Sequence, residues 1–222
     1  MGDIMESIWT QTVRQPSFSA LSGDKKTDVL IIGGGITGIL CAHMLHSAGV
    51  DCTLIEADRL CGGITENTTA KITLQHGAVY DRMIRRFGAD TARLYLNAQQ
   101  DALCEYERIC AGLDCDYERR DSYVFSRTDR RKLEKETAAL ESLGCRAEFT
   151  EHTSLPFSVA GAVRVRNQAQ FHPLKFAFSL AQGLPIYEHT KALELLPDGA
   201  VTQNGKISFK KIIVATHFPI LN

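Results

Sequence analysis

Residues 27–57 read TDVLIIGGGITGILCAHMLHSAGVDCTLIEA, and this stretch decides the fold. An apolar strand, Val29 to Ile32, runs into Gly33-Gly34-Gly35-Ile36-Thr37-Gly38. A helix follows to about Ala48, then Gly49, a second apolar strand from Cys52 to Ile55, and Glu56 at its end. Strand, glycines, helix, strand and acid in that order describe a dinucleotide-binding unit, and the chemistry needs each part where it stands. Gly33 permits the tight turn, Gly35 lets a pyrophosphate approach the backbone, and Gly38 lets the helix pack close to the strand. The helix N-terminus offers free N–H groups and the positive end of its dipole to the pyrophosphate. A carboxylate at Glu56 can accept both hydroxyls of an adenosine ribose and repels a 2′-phosphate, so FAD or NAD is expected and NADP is disfavoured.

Composition narrows the class. The chain has 222 residues, 44% of them hydrophobic, enough for one large domain or two small ones. A net charge of −1 gives no general pull toward nucleic acid or an anionic membrane. No apolar run approaches the roughly 20 residues that span a bilayer. Asp3 and Glu6 break any basic-then-apolar signal pattern, so the protein reads as cytoplasmic. The seven cysteines are odd in number and form no C-x-x-C pair, which argues against a disulfide framework or a zinc site. Cys41 and Cys52 fall inside the expected helix and strand, where a thiol behaves as a small hydrophobe. Cys41-Ala42-His43 has the C-x-H half of a Rieske motif, but no C-x-x-H follows, so no metal is assigned.

Residues 1–27 form a polar leader with Pro16, Ser17, Ser19, Ser22 and Gly23, anchored by Trp9 and Phe18. Ala57 to Gly77, ADRLCGGITENTTAKITLQHG, is rich in Gly, Thr and Asn. An NAD dehydrogenase of repeating strand–helix type would place a crossover helix here, whereas a long polar loop suggests a segment wrapped along a cofactor. Ala78–Phe87 and Asp90–Leu113 read as helices, the second with Leu94, Ala98, Leu103, Tyr106, Ile109 and Leu113 as its apolar face. Residues 115–126 end in a strand, and Arg130–Leu143 forms a charged helix closing at Gly144. Its basic cluster of Arg127, Arg130, Arg131 and Lys132 lies beside Asp129, Glu134 and Glu136 and reads as a solvated helix surface, with a binding patch as the alternative. Further strands are expected at Ala162–Val165, near Pro185–Glu188, at Ala192–Leu195 and at Lys211–Ala215, and a helix over Leu174–Ala181. A turn falls at Pro197-Asp198-Gly199 and a hairpin runs through Asn204-Gly205, and Thr216-His217-Phe218-Pro219 follows the last strand, which reads as buried.

The blocks around this unit carry a resemblance. They are the leader with Trp9, D-V-L-I-I-G-G-G-I-T-G-I from Asp28, L-I-E-A from Leu54, the Gly62–Thr73 loop, Phe171-His172-Pro173, I-Y-E-H-T from Ile186 and K-I-I-V-A-T from Lys211. With them the chain resembles the FAD-dependent oxidoreductases of the D-amino-acid oxidase, glycine oxidase and sarcosine oxidase superfamily. T-T-A-K-I-T-L-Q-H-G from Thr68 is similar to a bacterial branch whose members often carry a C-terminal Rieske domain. The resemblance implies an α/β fold, a Rossmann-like FAD-binding domain with part of an inserted α+β substrate domain. Residues 28–80 would start the FAD domain, 81–163 would belong to the substrate domain, and 164–222 would return to the FAD domain.

The resemblance also implies site residues. Gly33, Gly35, Ile36 and Thr37 would face the FAD pyrophosphate, with Gly38 packing behind them. Glu56 and Ala57 would bind the adenosine, and the backbone of Ala192 would meet the adenine. Gly63, Thr68, Thr69, Ala70 and Lys71 would run along the pyrophosphate and flavin, while Ala215 and Thr216 would follow the strand beneath the cofactor. Lys71 and His76 are the polar candidates near the isoalloxazine, Lys71 to stabilise negative charge at its N1–C2 edge.

The relatives' chains continue past this point, so the sequence is expected to be an N-terminal fragment, with the catalytic residues, and any Rieske 2Fe-2S cluster, beyond Asn222. The expected activity is oxidation of a C–N bond of a small amine or amino acid by hydride transfer to flavin, with electrons passed to oxygen or a Rieske centre. One alternative is a non-catalytic dinucleotide-binding module or subunit. An NAD enzyme is the other, opposed by the loop after Glu56 and by the K-I-I-V-A-T strand.

Overall fold

The computed structural model describes residues 7–218. In chain order the first elements are α1 (Ile8–Gln11), β1 (Lys25–Lys26), β2 (Val29–Ile32), α2 (Ile36–Ser47), β3 (Cys52–Ile55) and a 3-10 turn (Thr65–Asn67). Then come β4 (Lys71–Ile72), α3 (Tyr80–Phe87), α4 (Ala89–Cys110), β5 (Glu118–Ser126), α5 (Arg130–Ser142), β6 (Ala147–Thr150) and β7 (Gly161–Gln170). The chain closes with α6 (Pro173–Ala181), β8 (Ile186–Tyr187), β9 (Ala192–Leu196), β10 (Gly199–Thr202), β11 (Gly205–Ser208) and β12 (Lys211–Val214). Ala70–Phe171 forms one compact unit and the remaining described residues form the other.

The first unit is built on a parallel sheet ordered β12-β2-β3-β8. Every residue of β2 and β3 is buried. Central parallel strands are covered on both faces, so they read as unbroken apolar runs rather than alternating ones. The helix α2 packs on these strands, and α6 packs on α2. His172 caps α6 by accepting the Lys175 N–H at 3.2 Å on Nδ1, and Pro173 occupies the first turn, where its missing N–H costs nothing. A second sheet, β1-β11-β10-β9, contributes Ala192, Ala200 and Ile207 to a core shared with Leu30, Ile32 and Ile55. Lys25 and Lys26 enter that sheet as β1, parallel to β11, so the end of the leader is a strand rather than a surface coil.

In the second unit β7 is central. It pairs with β5 along one edge and with β6 and β4 along the other, all antiparallel. The strand runs ten residues, well beyond Ala162–Val165, and the divisions between units fall at Thr69/Ala70 and Phe171/His172 rather than after Tyr80 and Val163. The reason is pairing: Lys71 and Ile72 bond opposite Gln170 and Ala169, inside this unit's sheet. The core gathers Tyr80, Leu96, Leu133, Leu140, Val163 and Val165. On α4 the buried positions are Ala92, Leu96 and Cys110, while Leu94 is 71% exposed and Ala98 is also exposed. Leu94 therefore lies off the buried stripe, which the small residues Ala92 and Cys110 mark instead.

Glu136, 1% exposed on α5, accepts the N–H groups of Val79, Tyr80 and Asp81 at 2.8, 2.8 and 2.9 Å. It does the work of an N-cap for α3, whose own cap residue Val79 has no side-chain acceptor. Of the cysteines, Cys52, Cys61, Cys110, Cys115 and Cys145 are buried, Cys41 is partly buried and Cys104 is exposed.

Candidate functional site

The carboxyl ends of β2, β3 and β12 meet at one edge of the first unit's parallel sheet, the place where open α/β sheets take their ligands. A cleft of about 690 Å³ opens there, lined by Gly33, Gly35, Ile36, Thr37, Glu56, Gly63, Ala215 and Thr216 among others. A smaller pocket of about 190 Å³ shares Gly33, Glu56 and Thr216 and adds Ala57, Thr190 and Ala192.

Three glycines have three different reasons to be glycine. Gly33 turns the chain at φ +113°, and a Cβ there would sit 2.7 Å from the Ala215 carbonyl oxygen. At Gly38 a Cβ would lie 1.9 Å from the Gly33 carbonyl oxygen, so the helix packs at a separation only hydrogen allows. A Cβ at Gly35 would meet only Thr65 Oγ1, at 3.5 Å. Gly35 lines the cleft, so a bare backbone is useful there to whatever binds and unnecessary to the fold.

Gly35 is also the N-cap of α2 and brings no capping side chain. Thr65, from the loop after β3, supplies one by accepting the Ile36 N–H at 3.1 Å. The N–H groups of Thr37 and Gly38 have no acceptor among the described residues. Glu56 accepts the Gly34 N–H at 2.7 Å on one oxygen and the Asp58 N–H at 2.9 Å on the other. A carboxylate has about four acceptor sites, so two remain for ribose hydroxyls. Arg59 lines the same cleft and pairs with Glu66 at 3.0 Å. Free helix N–H groups, a bare glycine, a nearby guanidinium and a carboxylate at the end of β3 fit the diphosphate and ribose of an adenine dinucleotide.

Not every candidate lies in the cleft. Gly38 packs behind it. The Thr68 carbonyl accepts the Trp9 Nε1–H at 2.9 Å, which ties the loop to the leader, and Thr69 ends the first unit. Ala70, at φ +55°, and Lys71 begin the second unit, where Lys71 is exposed on β4. His76, also in that unit, is exposed and lies 3.2 Å from Gln99 Oε1 through its Nε2. Pro219 lies outside the described residues. The structure adds cleft residues that were not among the expected site residues, including Arg59, Cys61, Ile64, Thr65 and His217.

Residues 28–218 match the family described as FAD dependent oxidoreductase, the DAO family, and the chain belongs to it. The chain is similar to the putative Rieske 2Fe-2S iron–sulfur protein YhfW of Bacillus subtilis, 37% identical over 96% of this chain and 45% of that one. It is also similar to gamma-glutamylputrescine oxidoreductase of Escherichia coli, 26% identical over 89% of this chain and 50% of that one. The chain thus spans about half the length of the curated relatives it matches. Among solved structures it shares the fold of L-proline dehydrogenase from P. horikoshii, with a TM-score of 0.69 at 17% identity over 87% of this chain and 53% of that one. Glycine oxidase from Bacillus cereus superposes with a TM-score of 0.61 at 19% identity over 85% of this chain and 55% of that one. Among the described residues, no helix is long and apolar enough to cross a membrane.

Proposed function

We propose that this chain supplies the adenine-dinucleotide wall of the FAD site in an oxidoreductase that oxidises a C–N bond of a small amine or amino acid. The observation that carries the reading is the cleft at the carboxyl edge of the parallel sheet, with its bare Gly35 and the unsatisfied N–H groups of Thr37 and Gly38. In this reading Gly33, Gly35, Ile36, Thr37 and Gly63 hold the pyrophosphate. Glu56 holds the ribose hydroxyls, Ala57 and Ala192 flank the adenine, and Ala215 and Thr216 carry the cofactor from below. Thr68, Thr69, Ala70 and Lys71 are assigned to the path along the pyrophosphate and flavin by the family resemblance alone. FAD, when bound, supplies the acceptor for the hydride that leaves the C–N bond. The protein's share is to bind, orient and exclude water.

The amine or amino acid substrate class is supported by the names of the relatives, one an oxidoreductase of gamma-glutamylputrescine and two of the fold neighbours acting on proline and glycine. The electron acceptor is oxygen or a Rieske centre, the latter supported by the name of the B. subtilis relative. The test is spectroscopic. Purified protein should be yellow, with flavin absorption near ~450 nm, and amines or amino acids should bleach it without oxygen. A colourless protein that binds NAD overturns the FAD assignment. A yellow full-length protein, with the residues that follow Asn222, that no amine or amino acid bleaches overturns the enzymatic reading in favour of a binding module.

A further inference from the structure

The second unit holds a groove of about 350 Å³ between α3 and the start of α5, at the lower end of the size range of small-ligand sites. Five cations line it: Arg82, Arg85, Arg131, Lys132 and Lys135. Its three acids are already engaged. Asp81 pairs with Arg85 at 2.8 Å, and Asp129 caps α5 by accepting the Lys132 N–H at 3.0 Å. Glu136 is buried beneath three backbone N–H groups of the α3 N-terminus. Arg82, Arg131, Lys132 and Lys135 therefore face the groove with no carboxylate partner among the described residues.

The first turn of α5 makes this arrangement costly. It holds Arg130, Arg131 and Lys132 and no acid, at the end of the helix where the dipole is positive and cations are disfavoured. Arg130 is compensated by Glu134 and Glu151, but Arg131 and Lys132 are not. The Asp129 cap offsets part of this at the same helix end, and the local conflict that is left is of the kind expected at a functional site. Glu136 also fixes the frame, because its three bonds hold the start of α3 against α5. Arg131 and Lys135 stand four residues apart and Lys132 and Lys135 three apart, so their side chains emerge as neighbours about 5–6 Å from one another. Glu136 takes the N–H groups of Val79, Tyr80 and Asp81, and Asp129 takes that of Lys132, so recognition here rests mainly on side-chain charge. That favours a ligand with several negative groups over a single phosphate.

We propose that this groove binds a small polyanion carrying three or more negative charges, on phosphate or carboxylate groups. The proposal does not rest on the flavin reading. The test is calorimetric titration of the FAD-loaded protein at low ionic strength with inorganic tripolyphosphate, with citrate, and with a glutamate-rich peptide. The double variant Arg131→Gln/Lys135→Gln is compared with Arg14→Gln/Lys26→Gln, which removes the same charge at exposed positions outside the groove. Saturable one-site binding of tripolyphosphate or citrate is expected, weakened at least about tenfold in the groove variant and by less than about twofold in the control. Tighter binding of one of the two assigns the site to phosphate or to carboxylate. An anion held instead in the first unit's cleft would be indifferent to Arg131 and Lys135. No saturable binding, equal weakening in both variants, or binding of the peptide alone overturns the proposal.

Discussion

Glu188 holds the Leu60 backbone N–H at 2.6 Å on one carboxylate oxygen, and the Phe18 N–H at 2.8 Å on the other. The side chain is 2% exposed. One buried carboxylate thus joins three segments distant in sequence: the leader, the loop that walls the cleft, and the turn that follows β8. Leu60 is fully buried and sits where a Cβ on Gly34 would approach it to 2.4 Å, so this tie sets the position of the loop against the glycine turn.

Removing the carboxylate strands one buried donor, on Leu60, and one partly buried donor, on Phe18. Glu188→Ala is expected to lower unfolding stability by about 3 kcal/mol, since each buried unsatisfied N–H costs about 1–3 kcal/mol. Glu188→Gln keeps one acceptor and should lose less. Urea unfolding midpoints of the three proteins check the order. If alanine and glutamine lose the same amount, the two bonds are not what holds the loop.

The glycines should separate folding from binding. Gly38→Ala places a methyl group against the Gly33 carbonyl oxygen and should destabilise the fold by about 3 kcal/mol. Gly35 has φ −78°, ordinary for any residue, and open space at its Cβ apart from Thr65 Oγ1. Gly35→Ala is therefore expected to leave stability within about 0.5 kcal/mol while weakening FAD affinity by about tenfold or more. Denaturant melts and flavin-fluorescence titrations read the two effects independently. A Gly35→Ala protein with unchanged FAD affinity would remove the pyrophosphate from that position.

Thr65 caps a helix to which it does not belong. Thr65→Ala should cost about 1 kcal/mol, the usual value of a lost N-cap, and Thr65→Ser should retain most of it. Thermal unfolding of the two variants distinguishes this from a packing effect. Loss of stability in the serine variant equal to that in alanine would show that the methyl group, not the hydroxyl, matters.

The contrast between Gly35 and Thr65 marks what was legible in the sequence. Gly33, Gly35, Gly38 and Glu56 were readable because their spacing along one strand–helix–strand unit fixes their geometry locally. The strands β2 and β3 were readable as short apolar runs, α2 as the helix between Gly35 and Gly49, and β12 as the I-I-V run after Lys211. Thr65 and Glu188 were not, because each acts on a backbone N–H far away in the chain, and a lone threonine or glutamate carries no local sign of that. The pairing of Lys71-Ile72 with β7 was equally hidden, since two residues are too few to show a period. On α4 the larger Leu94 drew the expected face away from Ala92 and Leu96, which the tertiary packing actually buries.

Cys61 gives the fold a pH dependence of known sign. Burial pushes its thiol up to about 12, the hydrogen bond with Thr65 pulls the other way, and the charges of Glu56, Glu66 and Glu188 add to the rise. The unfolded chain releases this proton near its ordinary value of 9.0, whereas the folded chain keeps it to about 12. Across that window the native state binds more protons, so stability that is fully present below pH ~9 is lost as pH rises, at about 1.4 kcal/mol per pH unit for one proton. Cys61→Ala removes the titrating group. Its stability should fall less steeply than that of the parent between pH 9 and 11, with parallel slopes between pH 6 and 8, in denaturant melts taken at each pH. Only slopes are compared, so any change in packing at this site drops out. Equal slopes above pH 9 would mean that the thiol ionises in the folded protein as it does in the unfolded chain.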